Sequence, residues 1–418
     1  MANTSKKVYN KEEYVQAIEL YTLNPKKSED ILVSLNLFND NIKEIKIIND
    51  LLTATPKLIV LFEDVGTQEI SKYKSDGYTF LRLYITYKDR DTNSDLKFFH
   101  DFIVNDIKLI NKKSESTVYE ISGYSFFQAY WKGNIIYSSG KEVKAATKII
   151  EEMLIAGKLL KPGTKKHKDL TQSANKFHYI APTNAPLKAC IDDILAYTVD
   201  TDTGIYYVGF RLLDNEPFIL SLNDIYNEPL KYAGKYNYIF LNNEDSFEIL
   251  EKSVMDFESM NYIHGAENYD LIKPITLTSY DYTKRNWSED VYDFKRFDKI
   301  SPTQHNTQLE KNYKELPETY SKKIKQYEVG APIHYGSLRE RIHKLNILGD
   351  VIQFKCIGNM KREVGQICVI DSKAPLFIDR YKGLWMIERV THIYTGQTYI
   401  NDCIAVRVEK IKPNSNKK

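Results

Sequence analysis

GLWMIERVTHIYTGQTYIND, residues Gly383 to Asp402, decides how the rest of the chain is read. It brings Trp385, Glu388, Arg389 and His392 close together, with Cys403 just beyond. On a helix, Glu388 and His392 are four residues apart and would share a face, like half of a metal site. The stretch is instead dense in β-branched and aromatic residues, which favour strands. At ~3.3 Å per residue, strand geometry puts Glu388 and His392 ~13 Å apart. Zinc ligands lie about 2 Å from the metal, so this pair could not chelate alone. The segment therefore predicts a β-hairpin turning at TGQ (Thr395–Gln397). Trp385, Ile387 and Val390 become packing residues, and His392 a half-exposed histidine on a barrel strand.

Other candidates for chemistry are weaker. Cys356, Cys368 and Cys403 each sit in an apolar strand with no zinc-ribbon spacing, and with Cys190 they read as buried, reduced thiols. Asp192–Asp193 and Glu151–Glu152 are adjacent pairs on predicted helices, where neighbours point in different directions. Lys161–Lys168 (KPGTKKHK) is the sharpest basic run and reads as a solvated loop, with phosphate or partner contact as the minority alternative. There is no GxSxG, HExxH, GxxxxGK[ST] or GxGxxG. No residue is assigned a catalytic, cofactor-binding or metal-binding role, and the expectation is a protein that is not an enzyme and carries no cofactor.

Composition fits that direction. The 418 residues exceed one ordinary core, and 42% apolar with 27% charged residues describes a folded chain. A net charge of +2 argues against a strongly basic nucleic-acid binder, while leaving room for passive contact with DNA. With 31 Tyr and 18 Phe, the chain leans towards strands and protein contacts. The N-terminal MANTSKKVYNKEEY lacks the apolar run of a signal peptide, and no stretch reaches the ~18 apolar residues needed to span a bilayer. A soluble chain made in a cytoplasm is expected.

The expected class is α+β and β-rich, with two tube-like antiparallel β-barrel domains flanking a mixed middle. Residues 1–27 read as a polar arm and 28–125 as the first barrel. That barrel contains strands at Leu58–Val65, Thr79–Asp89, Phe98–Ile110 and Ser116–Tyr124. The middle, 126–335, contains a helix over Ser138–Gly157 with a Ser139/Glu142 capping box, and another over Ala185–Val199. Strands follow at Gly204–Leu212, Pro217–Leu222 and Tyr236–Leu241, then a helix over Ser246–Phe257. Residues from about Asp281 to Gly330 read as an extended or partly helical connection. The second barrel spans 336–412, with strands at Gly349–Asn359, Gly365–Ser372 and Cys403–Ile411, and 413–418 is a disordered tail. The two ends echo each other: FHDFIVNDIKLI with STVYEISGY, and GLWMIERVTHIY with TYINDCIAVRV. Either a structural duplication or two unrelated β-domains fits that pattern.

The C-terminal text resembles the barrel of phage baseplate hub proteins, the T4-type central hub and its relatives in tailocins and VgrG proteins. The resemblance is carried by Gly349–Asp350, by Val364–Ile370, and by Gly383, Trp385, Ile387, Val390, His392, Tyr394, Tyr399 and Asn401, over some 60 to 70 residues. ISGYSFFQAYW and GKEVKAATKIIEEM resemble, more weakly, the passage from the first barrel into the helical middle. The resemblance implies a structural virion protein located in the tail baseplate and assembled in the host cytoplasm. Its implied form is a homotrimeric hub joining a sixfold tail tube or tube-initiator protein to a threefold spike. Other baseplate proteins would contact it, and DNA or tape measure would pass through its channel during genome ejection. The alternatives are a tail-associated cell-wall hydrolase, or the hub of a tailocin or contractile injection system.

Overall fold

Alternation of apolar and polar residues sets most of the architecture, because a strand that buries one face needs period two. A computed structural model describes residues 15–24, 27–37, 41–51, 53, 55–65, 70, 79–89, 94–113, 115–161, 176–197, 206–213, 215–221, 233–240, 253–260, 275–281, 286–292, 322–326, 351–372, 381–395 and 398–407. Seven strands come first: β1 (Val15–Asn24), β2 (Lys27–Leu37), β3 (Ile42–Asp50), β4 (Lys57–Val65), β5 (Thr79–Asp89), β6 (Ser94–Lys112) and β7 (Ser116–Ser125). A small helical layer follows, with α1 (Phe127–Lys132), β8 (Lys144–Ala145), α2 (Ala146–Ala156), β9 (Lys176–Phe177) and α3 (Leu187–Tyr197). Next come the hairpin β10 (Tyr206–Arg211) and β11 (Glu216–Ser221), then β12 (Ala233–Phe240), β13 (Ser253–Val254) and β14 (Asp256–Met260). A separate three-stranded sheet holds β15 (Ile275–Asp281), β16 (Asn286–Tyr292) and β17 (Lys322–Gln326). The last strands are β18 (Val351–Ile357), β19 (Ile367–Ser372), β20 (Gly383–Thr395) and β21 (Thr398–Arg407).

The chain is thus β-rich α+β, as the alternation predicts. Both ends join one large sheet of mainly antiparallel strands, with β12 parallel to β13 and β19. Its pairings among the described residues form open paths, ending at β2, β13 and β14.

Within this sheet the two ends share one strand order. The first unit runs β3-β4-β7-β6-β5 and the second β14-β18-β21-β20-β19. The detail matches as well as the order. β5 accompanies β6 as far as Ile103, and β19 accompanies β20 as far as Met386. Two residues later each strand has a bulge, at Asn105 and at Glu388. Beyond it the two differ: β6 has a second bulge at Ile110, and its last pair is Lys112 with Thr117, whereas β20 runs unbroken to Thr395 with Thr398. Bulges re-aim a strand, so a shared bulge position is a shared geometric device. The pattern echo between the ends therefore corresponds to a repeat in topology.

Several expectations change. Val15–Asn24, read as part of a polar arm, is a strand between β2 and β5 that buries Ile18 and Leu20. Its alternation is diluted by charged neighbours in the sequence. Ser253–Val254 and Asp256–Phe257, read as the end of a helix, belong to strands β13 and β14. Pairing with β18 overrides their local helical spacing. With β12, these strands extend the C-terminal sheet from inside the stretch assigned to the middle domain. The connection expected from about Asp281 to Gly330 includes β16 and β17. Helix α2 begins at Ala146, and no side chain caps its N-terminus. Ser139 Oγ instead accepts from the Tyr179 backbone N–H. The expected stop at Gly157 holds, its N–H donating to the Met153 carbonyl. Residues 162–168 of the basic run, the turn residues Gly396 and Gln397, and the 413–418 tail lie outside the described residues.

Two cores form. One lies on the first unit's inner face, with Ile45, Val60, Leu83, Phe102 and Ile121. The other packs α1, α2 and α3 against β10 and β11 through Trp131, Ile150, Leu187 and Val208.

Gly123 of β7 sits opposite Val104, and Ala405 of β21 sits opposite Ile387 at the matching place. A Cβ on Gly123 would lie 2.6 Å from the Ile103 carbonyl oxygen. Gly123→Ala is expected to cost about 1–3 kcal/mol through this overpacking. Chemical denaturation measures it, and an unchanged midpoint contradicts the tight approach.

Candidate functional site

Among the described residues the two units pair through strands β20 and β3. β20 has β21 on one edge along most of its length. On its other edge β19 covers only Gly383–Met386, so the backbone past the Glu388 bulge needs another partner. That partner is β3 of the other unit, antiparallel, with Arg389 opposite Asp50, His392 opposite Ile47 and Thr395 opposite Glu44. At the bulge the Leu51 N–H donates to the Glu388 carbonyl at 2.9 Å. Arg389 Nε and Nη2 both reach Asp50 Oδ2 at 2.7 Å.

Side chains cross the seam with the backbone. Tyr394, Tyr399 and Met360, all from the C-terminal unit, fill the first unit's core. Tyr394 and Tyr399 stack with ring centroids 4.2 Å apart, and Tyr394 OH approaches Met360 Sδ at 2.9 Å.

Behind the seam lies a buried polar network centred on Asn401. Its Oδ1 accepts from the Asn359 N–H at 2.8 Å and from Arg362, which also donates to the Ile357 carbonyl at 2.7 Å. With Oδ1 so engaged, Asn401 Nδ2 faces His392 Nδ1 at 2.9 Å, and Tyr399 OH lies 2.8 Å from the same nitrogen. Nδ1 must accept, so the ring proton sits on Nε2, for which no acceptor lies among the described residues. His392 is fully buried rather than half-exposed. The bulge sets Val390, His392 and Tyr394 facing inward, with Arg389, Thr391 and Ile393 less buried. Burial, with a smaller effect from the Arg362 charge, pushes its pKa down to about 3.

Glu388 is buried at the bulge beside Asp50. Burial first, then the Asp50 charge, push its pKa up to about 7, with Arg389 opposing. Glu388 and His392 therefore have different surroundings. Trp385, Ile387 and Val390 are buried packing residues as predicted, Trp385 Nε1 donating to the Tyr381 carbonyl at 3.0 Å. All four cysteines are free and buried, and burial holds the Cys190, Cys368 and Cys403 thiols above the ordinary range. Asp192 pairs with Lys188, Glu151 with Lys148 and Glu152 with Lys144, three ion pairs at helix surfaces.

Sequence reasoning missed two further junctions. Buried Glu363 accepts from the Leu212 and Leu213 N–H groups at 3.0 and 2.8 Å, and from Asn49, which also donates to the Phe210 carbonyl. This ties the β10–β11 hairpin to both units. His100 of β6 lies between Ser125 and Asn215 among Phe98, Phe102, Phe127 and Phe210, and burial pushes its pKa down to about 4. Only the placement of polar residues inside apolar strands hinted at these sites.

No family model matches the chain, and no curated protein matches it. Solved structures similar to it include the tail protein from Neisseria meningitidis MC58 (TM-score 0.49, 8% identity, 94% of this chain and 96% of that one). Others are the prophage MuSo2 43 kDa tail protein from Shewanella oneidensis (0.49, 9%, 94% and 97%) and prophage tail protein gp18 from Listeria monocytogenes (0.44, 10%, 96% and 96%). At TM-scores below 0.5 these likenesses carry no functional argument.

Asn401→Ala removes an acceptor from buried Arg362 and should cost about 3 kcal/mol in thermal or denaturant unfolding. Loss below about 0.5 kcal/mol contradicts the network's structural role. The titrating groups give a second expectation. Burial lowers the folded pKa of His100 and His392 below the unfolded ~6.5, so their contribution is present above that pH and lost on acidification. Glu388 is raised, so its contribution is present below its unfolded ~4.3 and lost as pH rises towards about 7. From about pH 6.5 to 4.5, the unfolded chain takes up two histidine protons against one at Glu388 in the fold. Stability from these three groups should therefore fall by about 1.4 kcal/mol per pH unit. Glu388→Gln should roughly double that slope, and an unchanged slope refutes the assignment.

Proposed function

We propose that the chain is a structural hub of a tail baseplate, with no catalytic role, acting as a ring-forming adaptor between a tail tube and a spike. The observation that carries this is the β3–β20 seam: one chain builds two units of the same strand order and joins them edge to edge. A closed ring of such chains presents twice as many similar units as it has subunits. Three copies would present six, which matches a sixfold tube above and a threefold spike below. The C-terminal motif from Gly349 to Asn401, with its resemblance to baseplate hub barrels, supports the same reading. Its conspicuous residues hold the seam: Tyr394 and Tyr399 fill the neighbouring core, while His392 and Asn401 form the network behind it.

In this role the tail tube or tube-initiator protein docks on one face of the ring and the spike on the other. Other baseplate proteins surround it, and DNA or tape measure passes through the channel. The protein is assembled in the host cytoplasm and then resides in the virion. Among the described residues no helix is long and apolar enough to cross a membrane.

Sedimentation equilibrium and negative-stain microscopy test the proposal. The expected species has three times the 48.7 kDa chain mass and forms a ring. A monomer persisting to tens of micromolar, or clearing of peptidoglycan by the purified protein, overturns it.

A further inference from the structure

The helical layer is faced by an irregular antiparallel ribbon of two segments, 133–145 and 176–187. β8 and β9 pair at one end, Ser138 bridges Ile180 in the middle, and Asn134 bridges Pro186 at the other end. Between these bridges the Ala181 N–H donates to the Tyr137 carbonyl at 3.0 Å and the Ser139 N–H to the Tyr179 carbonyl at 2.9 Å. One set of ribbon side chains points in: Ile135, Tyr179 and Leu187 belong to the helical core. A second apolar set is left in solvent. Ile136 is 100% exposed, Ile180 72% and Val143 53%. The bridge register places Pro182, also exposed, across from Ile136. Single exposed apolar residues are ordinary, whereas several along one ribbon mark an interaction surface.

Lysines frame this strip. Lys132 ends α1, Lys141 lies in the turn between Ser138 and Val143, and Lys176 starts β9; all three are exposed. Among the described residues none of the three has a carboxylate partner. Their neighbours Lys144, Lys148 and Lys188 pair with Glu152, Glu151 and Asp192. Glu142, the acidic residue beside Lys141, is held by Lys144. In a chain with 58 basic and 56 acidic residues, three unmatched cations around one apolar strip are a local excess.

We infer that this strip docks a segment of a different protein of the same particle, one that presents aliphatic side chains between carboxylates. The inference rests on the structural role proposed above and names the chemistry of one partner. Ile136 is the anchor: it stands clear of its own fold, so a pocket on the partner can remove its whole side chain from water. The lysines choose the partner's sign. Rim charges steer an encounter and reject like-charged surfaces more than they add affinity. A second copy meeting the strip through the same face would set these lysines against one another, which argues against a twofold contact. Anionic lipid fits less well, because polybasic lipid-binding clusters hold about four to eight Lys or Arg.

A photoreactive p-benzoylphenylalanine placed at Ile136 of the full chain, produced in its native cells, tests this. Irradiation should link the chain to one other protein, and the linked peptide, mapped by mass spectrometry, should carry Asp or Glu beside the link. Lys132→Glu, Lys141→Glu and Lys176→Glu together should cut the yield about tenfold or more, and changing the partner's mapped carboxylates to lysine should restore most of it. The three lysines are exposed, so the unfolding midpoint should not move. If it does, Lys132→Gln, Lys141→Gln and Lys176→Gln replace the reversals and should still lower the yield. A link to a second copy or to lipid, no link, or a link insensitive to the lysine changes overturns the docking surface. A trimeric ring without the lysine-dependent link overturns this surface and leaves the hub reading. A persistent monomer that still makes the link overturns the ring and leaves the surface.

Discussion

The structure depends on a backbone demand at one bulge. Once Glu388 turns β20 away from β19, the next seven residues expose amide and carbonyl groups that need partners. β3, more than 300 positions earlier, supplies them. Hydrogen bonds of the ladder are individually modest, but leaving such groups buried and unmet is costly. The seam therefore fixes register as well as proximity. A slip of one residue would turn Tyr394 out of the neighbouring core and His392 away from Asn401.

Buried polar residues gather at the joints. Asn401 and Arg362 stand behind the seam, Glu363 and Asn49 hold the β10–β11 hairpin, and His100 joins β6 to Ser125 and Asn215. An apolar contact tolerates sliding, whereas a carboxylate receiving two backbone N–H groups accepts one geometry. These groups specify how separate pieces sit together, and the histidines remain neutral because burial opposes their charging.

Much of this was legible from residue order. Strands β4 to β7, the hairpin over Gly383–Asp402 and helix α3 follow from period and propensity. The repeat was visible only as an echo, because what it preserves is bulge position and pairing order rather than residue identity. β1 and β14 were hidden for another reason: β1 follows a run of charged neighbours, β14 is short and charged, and the strand character of each comes from a distant partner. His392 was misjudged because the bulge changes which parity of β20 faces inward, and a bulge depends on both strands. The seam itself pairs Arg389 with Asp50, and no local pattern announces a contact of that range.

The reach of the seam has a kinetic consequence. The first unit's core is lined by strands that end at Ser125, yet Met360, Tyr394 and Tyr399 complete it. During synthesis those early strands must wait, with part of their apolar face open, until more than 260 further residues have been made. Contacts of such separation slow folding and prolong exposure to aggregation. The same delay acts as a checkpoint. A chain broken before Arg389 lacks both tyrosines and the strand segment that closes on β3, so a truncated product presents no finished first unit to its neighbours.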